Sequence, residues 1–316
     1  MFGDCADKPA KLSKSLTVRC MCPDEWGKLR VVCPVGICYK KEENRTKGGT
    51  VPMNLLFSIN RGFLHLFASC IRSIVNHGGE EHYEAYVLHS DLKSADQDRV
   101  RQAAGETVTC HFVPVDPTLF DGFPETRRYP RQIYYRLAAP LLLPGNLDRV
   151  LYLDVDTAVI NPLRELYDTD LGENYFAACT HVRKFLTKVN RARLGVEEEV
   201  PYVNTGVLLM NLPVLRENLR LEDIRACANA KKHAFLLPDQ DILTALYGTK
   251  ICLVDAMLYN LSDRILNFYN ADPRHGTRDL DWVRENTVIV HYCGRNKPWK
   301  DSYAGDLGVF YQEVQG

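Results

Sequence analysis

The chain has almost no net charge. Its 39 lysines and arginines stand against 40 aspartates and glutamates, leaving −1 over 316 residues with histidine neutral. Such a balance supplies no broad field to gather nucleic acid or an anionic membrane surface, so any polyanion must be recognised by local side chains. No stretch approaches the roughly 20 apolar residues that cross a bilayer. The first residues, MFGDCADKPAKLSKS, lack the apolar centre of a secretory signal, and the expected address is cytoplasmic. A regular disulfide framework is missing too. The eleven cysteines are odd in number, and Cys70, Cys110, Cys179 and Cys252 stand inside apolar periodic segments, so reduced, buried thiols are expected. Cys20, Cys22, Cys33 and Cys38 form a separate cluster whose spacings of one and four residues do not match a zinc ribbon.

What is present is enough apolar sequence, 46% of residues, for one large or two modest domains with a real core. Residues 1–52 show little sustained period and include the polar run KKEENRTKGGT. They read as an N-terminal extension outside a catalytic unit of residues 53–316. From Met53 the pattern is ordered. NLLFSIN reads as a buried strand, and FLHLFASCIRSIVNH follows with Phe63, Leu66, Phe67, Cys70, Ile71 and Ile74 on one helical face. Tyr83 to Leu88 is a second strand, 94–104 a charged helix, and Val108 to Val115 a third strand. Alternating β and α with short connections predict an α/β fold with a mostly parallel, doubly wound sheet.

The segment RVLYLDVDTAV, residues 149–159, delivers two aspartates one residue apart into a turn. Side chains at i and i+2 of an extended segment share a face, so Asp154 and Asp156 can offer oxygens to one cation. Hard divalent ions such as Mn2+ or Mg2+ suit that chemistry and keep positions for substrate phosphates, which points to a phosphate ester or diphosphate as substrate. Two other readings compete. Aspartates after a strand also cap turns. With Thr157, the strand also resembles the nucleophile strand of haloacid-dehalogenase-type phosphatases, in which the first aspartate attacks phosphorus.

The later segments decide among these. In order they are the strand YFAACT, a basic stretch from His181 to Val200, YVNTGVLLMNL, the helix start PDQDILTALYG, and the last strand TVIVHYCGRNKPW. Their order and wording closely resemble glycosyltransferase family 8, the retaining nucleotide-sugar transferases, from about Met53 to Trp299. The resemblance implies a fold of the GT-A type, in which a Rossmann-like nucleotide half and an acceptor half share one mostly parallel mixed sheet flanked by helices. It also implies metal-dependent transfer of glucose or galactose from a uridine diphosphate sugar to a glycan or glycolipid acceptor.

Residue by residue, the match gives Asp154, Asp156 and His291 as ligands of Mn2+ or Mg2+. It gives Asn60, Phe63, Arg136, Val155, Asn204, Asp239, Gln240, Gly294 and Lys297 as donor-binding positions, with Arg136, Asp239 and Gln240 nearest the chemistry. Each has a simpler reading on its own: His291 a structural histidine, Lys297 a surface charge, Arg136 a helix-surface arginine, and Asp239 an N-cap after Pro238. Retaining hydrolases use two carboxylates, one of them a nucleophile, and no such pair can be assigned here. The family is thought to retain configuration by front-face substitution, the departing phosphate oxygen taking the proton of the acceptor hydroxyl. Gln240 would then position groups or stabilise charge at the reacting carbon.

Two departures qualify the match. After the first strand the family often carries Asp or Asn, then Asp, Asn and an aromatic, where uracil is recognised. This chain has Asn60, Arg61, Gly62 and Phe63. Loss of the side-chain amide at Gly62 forfeits a hydrogen bond of about 1 kcal/mol, so the alternative is a nucleotide-sugar-binding protein with weak or no turnover. The phosphatase reading recedes, because it expects its nucleophile strand near the domain start and a later acidic metal motif. At the other end no long basic, aromatic tail follows PWKDSY, so no stable membrane anchor is expected, only peripheral contact at an inner membrane face. The stretch HVRKFLTKVNRARLG could meet a phosphorylated acceptor or lipid, although a solvated helix face is the simpler expectation. These residues leave the oligomeric state open.

Overall fold

The structure, a computed structural model, describes residues 52–315 apart from 127–129, 182–183, 198, 232 and 275. The expected extension and its cysteine cluster therefore lie outside the described residues. Nine strands are present among the latter: β1 (Met53–Ser58), β2 (Tyr83–His89), β3 (Val108–Pro114), β4 (Arg149–Leu153), β5 (Thr157–Val159), β6 (Phe176–Cys179), β7 (Asn204–Asn211), β8 (Ile251–Leu253) and β9 (Ile289–His291). Seven of them form one sheet in the order β3-β2-β1-β4-β7-β6-β8. β1, β2, β3 and β4 run parallel, β7 lies antiparallel to both β4 and β6, and β8 is parallel to β6. The mostly parallel mixed sheet expected from the sequence is thus present, and RVLYL is a central strand of it.

The central strands are nearly continuous apolar runs because helices cover both faces. Successive side chains alternate across the sheet. Leu55 and Phe57 pack with Phe67, Ile71 and Leu151 on one face, while Leu56 packs with Tyr135, Tyr152 and Leu208 on the other. The helix Leu64–His77 turns Leu66, Phe67, Cys70, Ile71 and Ile74 inward, as its 3.6-residue spacing predicts, whereas Phe63, expected on the same face, ends the short turn before the helix and is half exposed. Each such fully buried apolar side chain contributes about 1.5–3 kcal/mol. Cys70, Cys110, Cys179, Cys227 and Cys293 are free thiols, and of the four expected in the core Cys70, Cys179 and Cys252 are buried while Cys110 is half-buried. Burial pushes the Cys70 thiol up to about 12, which makes it an inert core residue.

This topology fixes where a ligand goes. From β1 the chain moves outward to β2 and β3, then returns through the helix Tyr135–Leu142 to β4 on the opposite side of β1. The crevice beyond the carboxyl ends of β1 and β4 is consequently a topological switch point, where open α/β sheets bind ligands. The residues that follow these two strands are Asn60 to Phe63 and Asp154 to Asp156. The last strand lies outside the main sheet; β9 pairs antiparallel with β5 in a separate two-stranded sheet.

Candidate functional site

That small sheet assembles the site. Thr157, immediately after Asp156, is the register partner of His291, and the Tyr292 amide donates to the Asp156 carbonyl at 2.9 Å. Residues far apart in sequence are thereby held at one turn. The two aspartates lie just past the end of β4, where the Asp154 amide donates to the Gly206 carbonyl (2.7 Å) and the Thr157 hydroxyl donates to the Asp154 carbonyl (2.8 Å). One ligand atom from each of Asp154, Asp156 and His291 falls within 4.8 Å of the others. His291 Nε2 stands 3.2 Å from Asp156 Oδ1 and 3.9 Å from Asp154 Oδ2. Two carboxylates and an imidazole facing one point are a donor set suited to a divalent ion of the manganese kind.

Gly206 on β7 is what permits this closeness. A Cβ placed there would lie 2.2 Å from His291 Cε1 and 2.8 Å from Asp154 Oδ2. No short motif flags the residue as part of the site, since its role depends on a strand from elsewhere in the chain.

Arg136 is buried behind the aspartates rather than exposed on a helix surface. Its guanidinium meets Asp154 Oδ1 at 2.9 Å and Asp239 Oδ2 at 3.4 Å, donates to the Thr205 carbonyl at 2.9 Å, and lies 4.5 Å over the Tyr152 ring. Burial opposes the charge, yet the flanking Asp154 and Asp239 carboxylates hold Arg136 above the ordinary arginine range. The Tyr152 hydroxyl completes the set by donating to Asp154 Oδ1 at 2.6 Å. Neither Tyr152 nor Thr205 stood out in the sequence, because an aromatic in a strand reads as core and a threonine in VNTG as backbone support.

Asp239 is not a helix cap. In the helix Pro238–Tyr247 the capping position is Leu237, and the carboxylate that accepts from the Leu236 and Leu237 amides, at 2.7 and 3.1 Å, is that of Asp241. Asp239 is thereby free to accept from the Thr205 hydroxyl at 2.6 Å and to face Arg136. Gln240 follows it in the first turn, half-buried. Asp241 is fully buried and also takes a bidentate contact from Arg193 (2.9 and 2.6 Å) and the Tyr202 hydroxyl (2.9 Å). Arg193, in the basic helix Lys184–Leu194, is therefore an internal strut, which corrects the expectation of a wholly solvated face there.

Lys297 points inward, not to open solvent. Its ammonium contacts Asp156 Oδ2, donates to the Tyr292 carbonyl at 2.7 Å and lies 5.3 Å from the centre of the Trp299 ring. Against the cost of burial, His291 and Lys297 hold the Asp156 carboxyl below the usual carboxylate range. Gly294, between His291 and Lys297, has φ 89°, a left-handed conformation that glycine adopts without strain. Asn204 Oδ1 accepts from the Gly206 amide (2.9 Å) and from Asn260 Nδ2 (3.0 Å), and Asn260 Oδ1 meets His291 Nδ1 at 2.8 Å. Asn260 was not legible in the sequence.

The remaining expected positions join by topology, not by contact with the carboxylates. Asn60 caps its own short turn, accepting from the Gly62 amide at 2.8 Å, and Phe63 is half exposed. Arg61 pairs with Asp96 at 2.9 Å. A Cβ at Gly62 would approach Asn60 Oδ1 to 3.1 Å, so a larger residue there would press on this turn. Val155 lies half-buried between the two aspartates.

Comparison with known proteins agrees with this geometry. The family model for glycosyl transferase family 8 matches residues 54–302. The chain is 27% identical over 276 residues to a lipopolysaccharide 1,3-galactosyltransferase of Salmonella typhimurium, covering 83% of this chain and 77% of that one. It is 24% identical over 256 residues to a lipopolysaccharide 1,2-glucosyltransferase of Escherichia coli, covering 78% and 72%. Among solved structures, the galactosyltransferase LgtC in complex with donor and acceptor sugar analogues superposes with a TM-score of 0.70 at 27% identity, over 83% of this chain and 95% of that one.

Proposed function

Since the chain belongs to glycosyl transferase family 8, we propose that this glycosyltransferase moves glucose or galactose, with retention, from a uridine diphosphate sugar to a glycan or glycolipid acceptor. The observation that carries the reading is the convergence of Asp154, Asp156 and His291 at the switch-point crevice, with Arg136 behind and Lys297 beside them. A divalent ion held by the first three would neutralise charge that grows on the leaving diphosphate. The chain's own residues do the rest. Arg136 fixes Asp154 and Asp239 in place, and Lys297 is a mobile-stemmed point charge within reach of a phosphate. Asp239 and Gln240, on the first turn of one helix, and Asn204 would line the donor sugar.

The relatives named as lipopolysaccharide transferases favour a glycan or glycolipid acceptor. Among the described residues no helix is long and apolar enough to cross a membrane.

The deciding experiment measures nucleoside diphosphate release from a panel of UDP-sugars with Mn2+, beside Asp156→Asn and a chelator control. Release from UDP-glucose or UDP-galactose that needs Mn2+ and disappears in the variant is expected. Release that is indifferent to chelator and to Asp156→Asn would refute the metal-dependent reading. Donor binding without turnover across an acceptor panel would favour a sugar-nucleotide-binding protein instead.

A further inference from the structure

The hydrogen bonds behind His291 have only one consistent set of directions. A backbone amide is always a donor, so the Gly206 N–H makes Asn204 Oδ1 an acceptor. The group of Asn260 that faces Asn204 Oδ1 at 3.0 Å must then be its NH2, and the group that faces His291 Nδ1 at 2.8 Å must be its carbonyl oxygen. An amide oxygen cannot donate. His291 therefore carries a proton on Nδ1, and Nε2 is the ring nitrogen turned toward Asp154 and Asp156.

From this chain of directions we propose that Asn260 is a positioning residue that sets His291 as an Nε2 ligand and ties the metal site to strand β7. Three further features fit that role. Asn260 is fully buried, so no solvent competes for its amide. Its backbone is anchored from two sides. The carbonyl accepts from His181 Nε2 at 2.7 Å, and the next residue, Leu261, pairs with β9, its amide donating to the Ile289 carbonyl (2.9 Å) and its carbonyl accepting from the His291 amide (2.6 Å). The amide is thus delivered to the imidazole by the strand that carries the imidazole. Finally, Asn204 lies two residues from Gly206, whose carbonyl accepts from the Asp154 amide. A single buried amide consequently links both sides of the donor set. Partners of this kind orient a metal-bound histidine and typically change metal affinity about 10–100-fold when removed.

The proposal rests on the metal reading above, and its test separates the two. The first measurement is a 15N-resolved spectrum of the His291 ring in the wild-type, metal-free protein, where a protonated Nδ1 is expected, with or without a proton on Nε2, and an unprotonated Nδ1 would overturn the proposal. The second is Mn2+ binding followed by the free-ion electron paramagnetic resonance signal. Asn260→Leu, close in size but without the acceptor, should weaken Mn2+ about 10–100-fold and mix the tautomers. Asn260→Asp, which keeps an acceptor for Nδ1–H, should bind Mn2+ about tenfold or more tighter than Asn260→Leu and keep the wild-type tautomer, which also guards against a leucine variant that fails to fold. Equal Mn2+ affinity in wild type and Asn260→Leu would overturn the proposal. If the wild-type protein binds no Mn2+, the metal reading fails and the tautomer spectrum alone decides what Asn260 does.

Discussion

Gly206→Ala is the smallest change that should disable the site. The added Cβ would lie 2.2 Å from His291 Cε1, 2.9 Å from His291 Nδ1 and 2.8 Å from Asp154 Oδ2. Carbon atoms rest about 3.5–4.0 Å apart, so the imidazole or the strand must retreat by more than about 1 Å. Neither has room. His291 is 2% exposed, its backbone is paired with β5, and its ring is tied to Asn260. Overpacking of this kind costs about 1–3 kcal/mol in stability. The functional loss should be larger in proportion, because a misplacement of about 1 Å at reacting groups costs about 100-fold in rate. Urea unfolding, Mn2+ affinity and UDP release would be measured together. Gly145→Ala is the control, since a Cβ there meets nothing within 4 Å and should change stability by less than about 0.5 kcal/mol. A Gly206→Ala protein with wild-type metal affinity and turnover would refute the claim that the strand's approach builds the site.

Two further outcomes follow from the buried charges. Arg136→Met leaves Asp154 and Asp239 facing each other without a cation and should cost about 3–5 kcal/mol by urea unfolding. Arg136→Lys should recover little of this, since one ammonium cannot reproduce the guanidinium fork, and full recovery by lysine would count against the bridging role. Burial and the neighbouring His291 push His181 down to about 3 from an ordinary value of 6.5. Between these values the unfolded chain binds a proton that the folded chain refuses, so the stability is intact above pH ~6.5 and declines as pH falls toward 3. In the metal-free protein His181→Gln should flatten that part of the profile of Tm against pH, and an unchanged slope would show that another group titrates.

The fold was readable because its signals are local. A strand such as NLLFSI and the apolar face from Leu66 to Ile74 each declare themselves within a dozen residues, and the alternation of such units dictates a parallel sheet. The segments that bring Asp154, Asp156 and His291 together declare themselves for the same reason: LDVDT and HYCGRNKPW each hold their polar residues close in sequence. What stayed hidden depends on strand pairing across long separations. Gly206 matters only because β7 runs beside β4 and its Cα comes up against the His291 ring, and Asn260 only because Leu261 bridges to β9. Asp239 was ambiguous in sequence because two carboxylates stand one residue apart after Pro238. Pro238 supplies no amide, and it is Asp241 that reaches back to the two amides before it.

The two cations of the site are not equivalent, and the difference follows from how each is held. Arg136 meets two carboxylates and a backbone carbonyl from inside the core, on the last turns of chain before β4. Three oxygen partners and an aromatic face leave its planar fork no second arrangement of comparable energy. Lys297 sits instead on the loop that contains Gly294, half-buried, with one carboxylate and one carbonyl as partners. An ammonium is a compact charge on a flexible stem and can exchange a carboxylate oxygen for a phosphate oxygen without rebuilding anything around it. Asp154 is thus compensated from behind by a fixed fork, while Asp156 is compensated both by the anchored His291 and by an ammonium on a flexible stem.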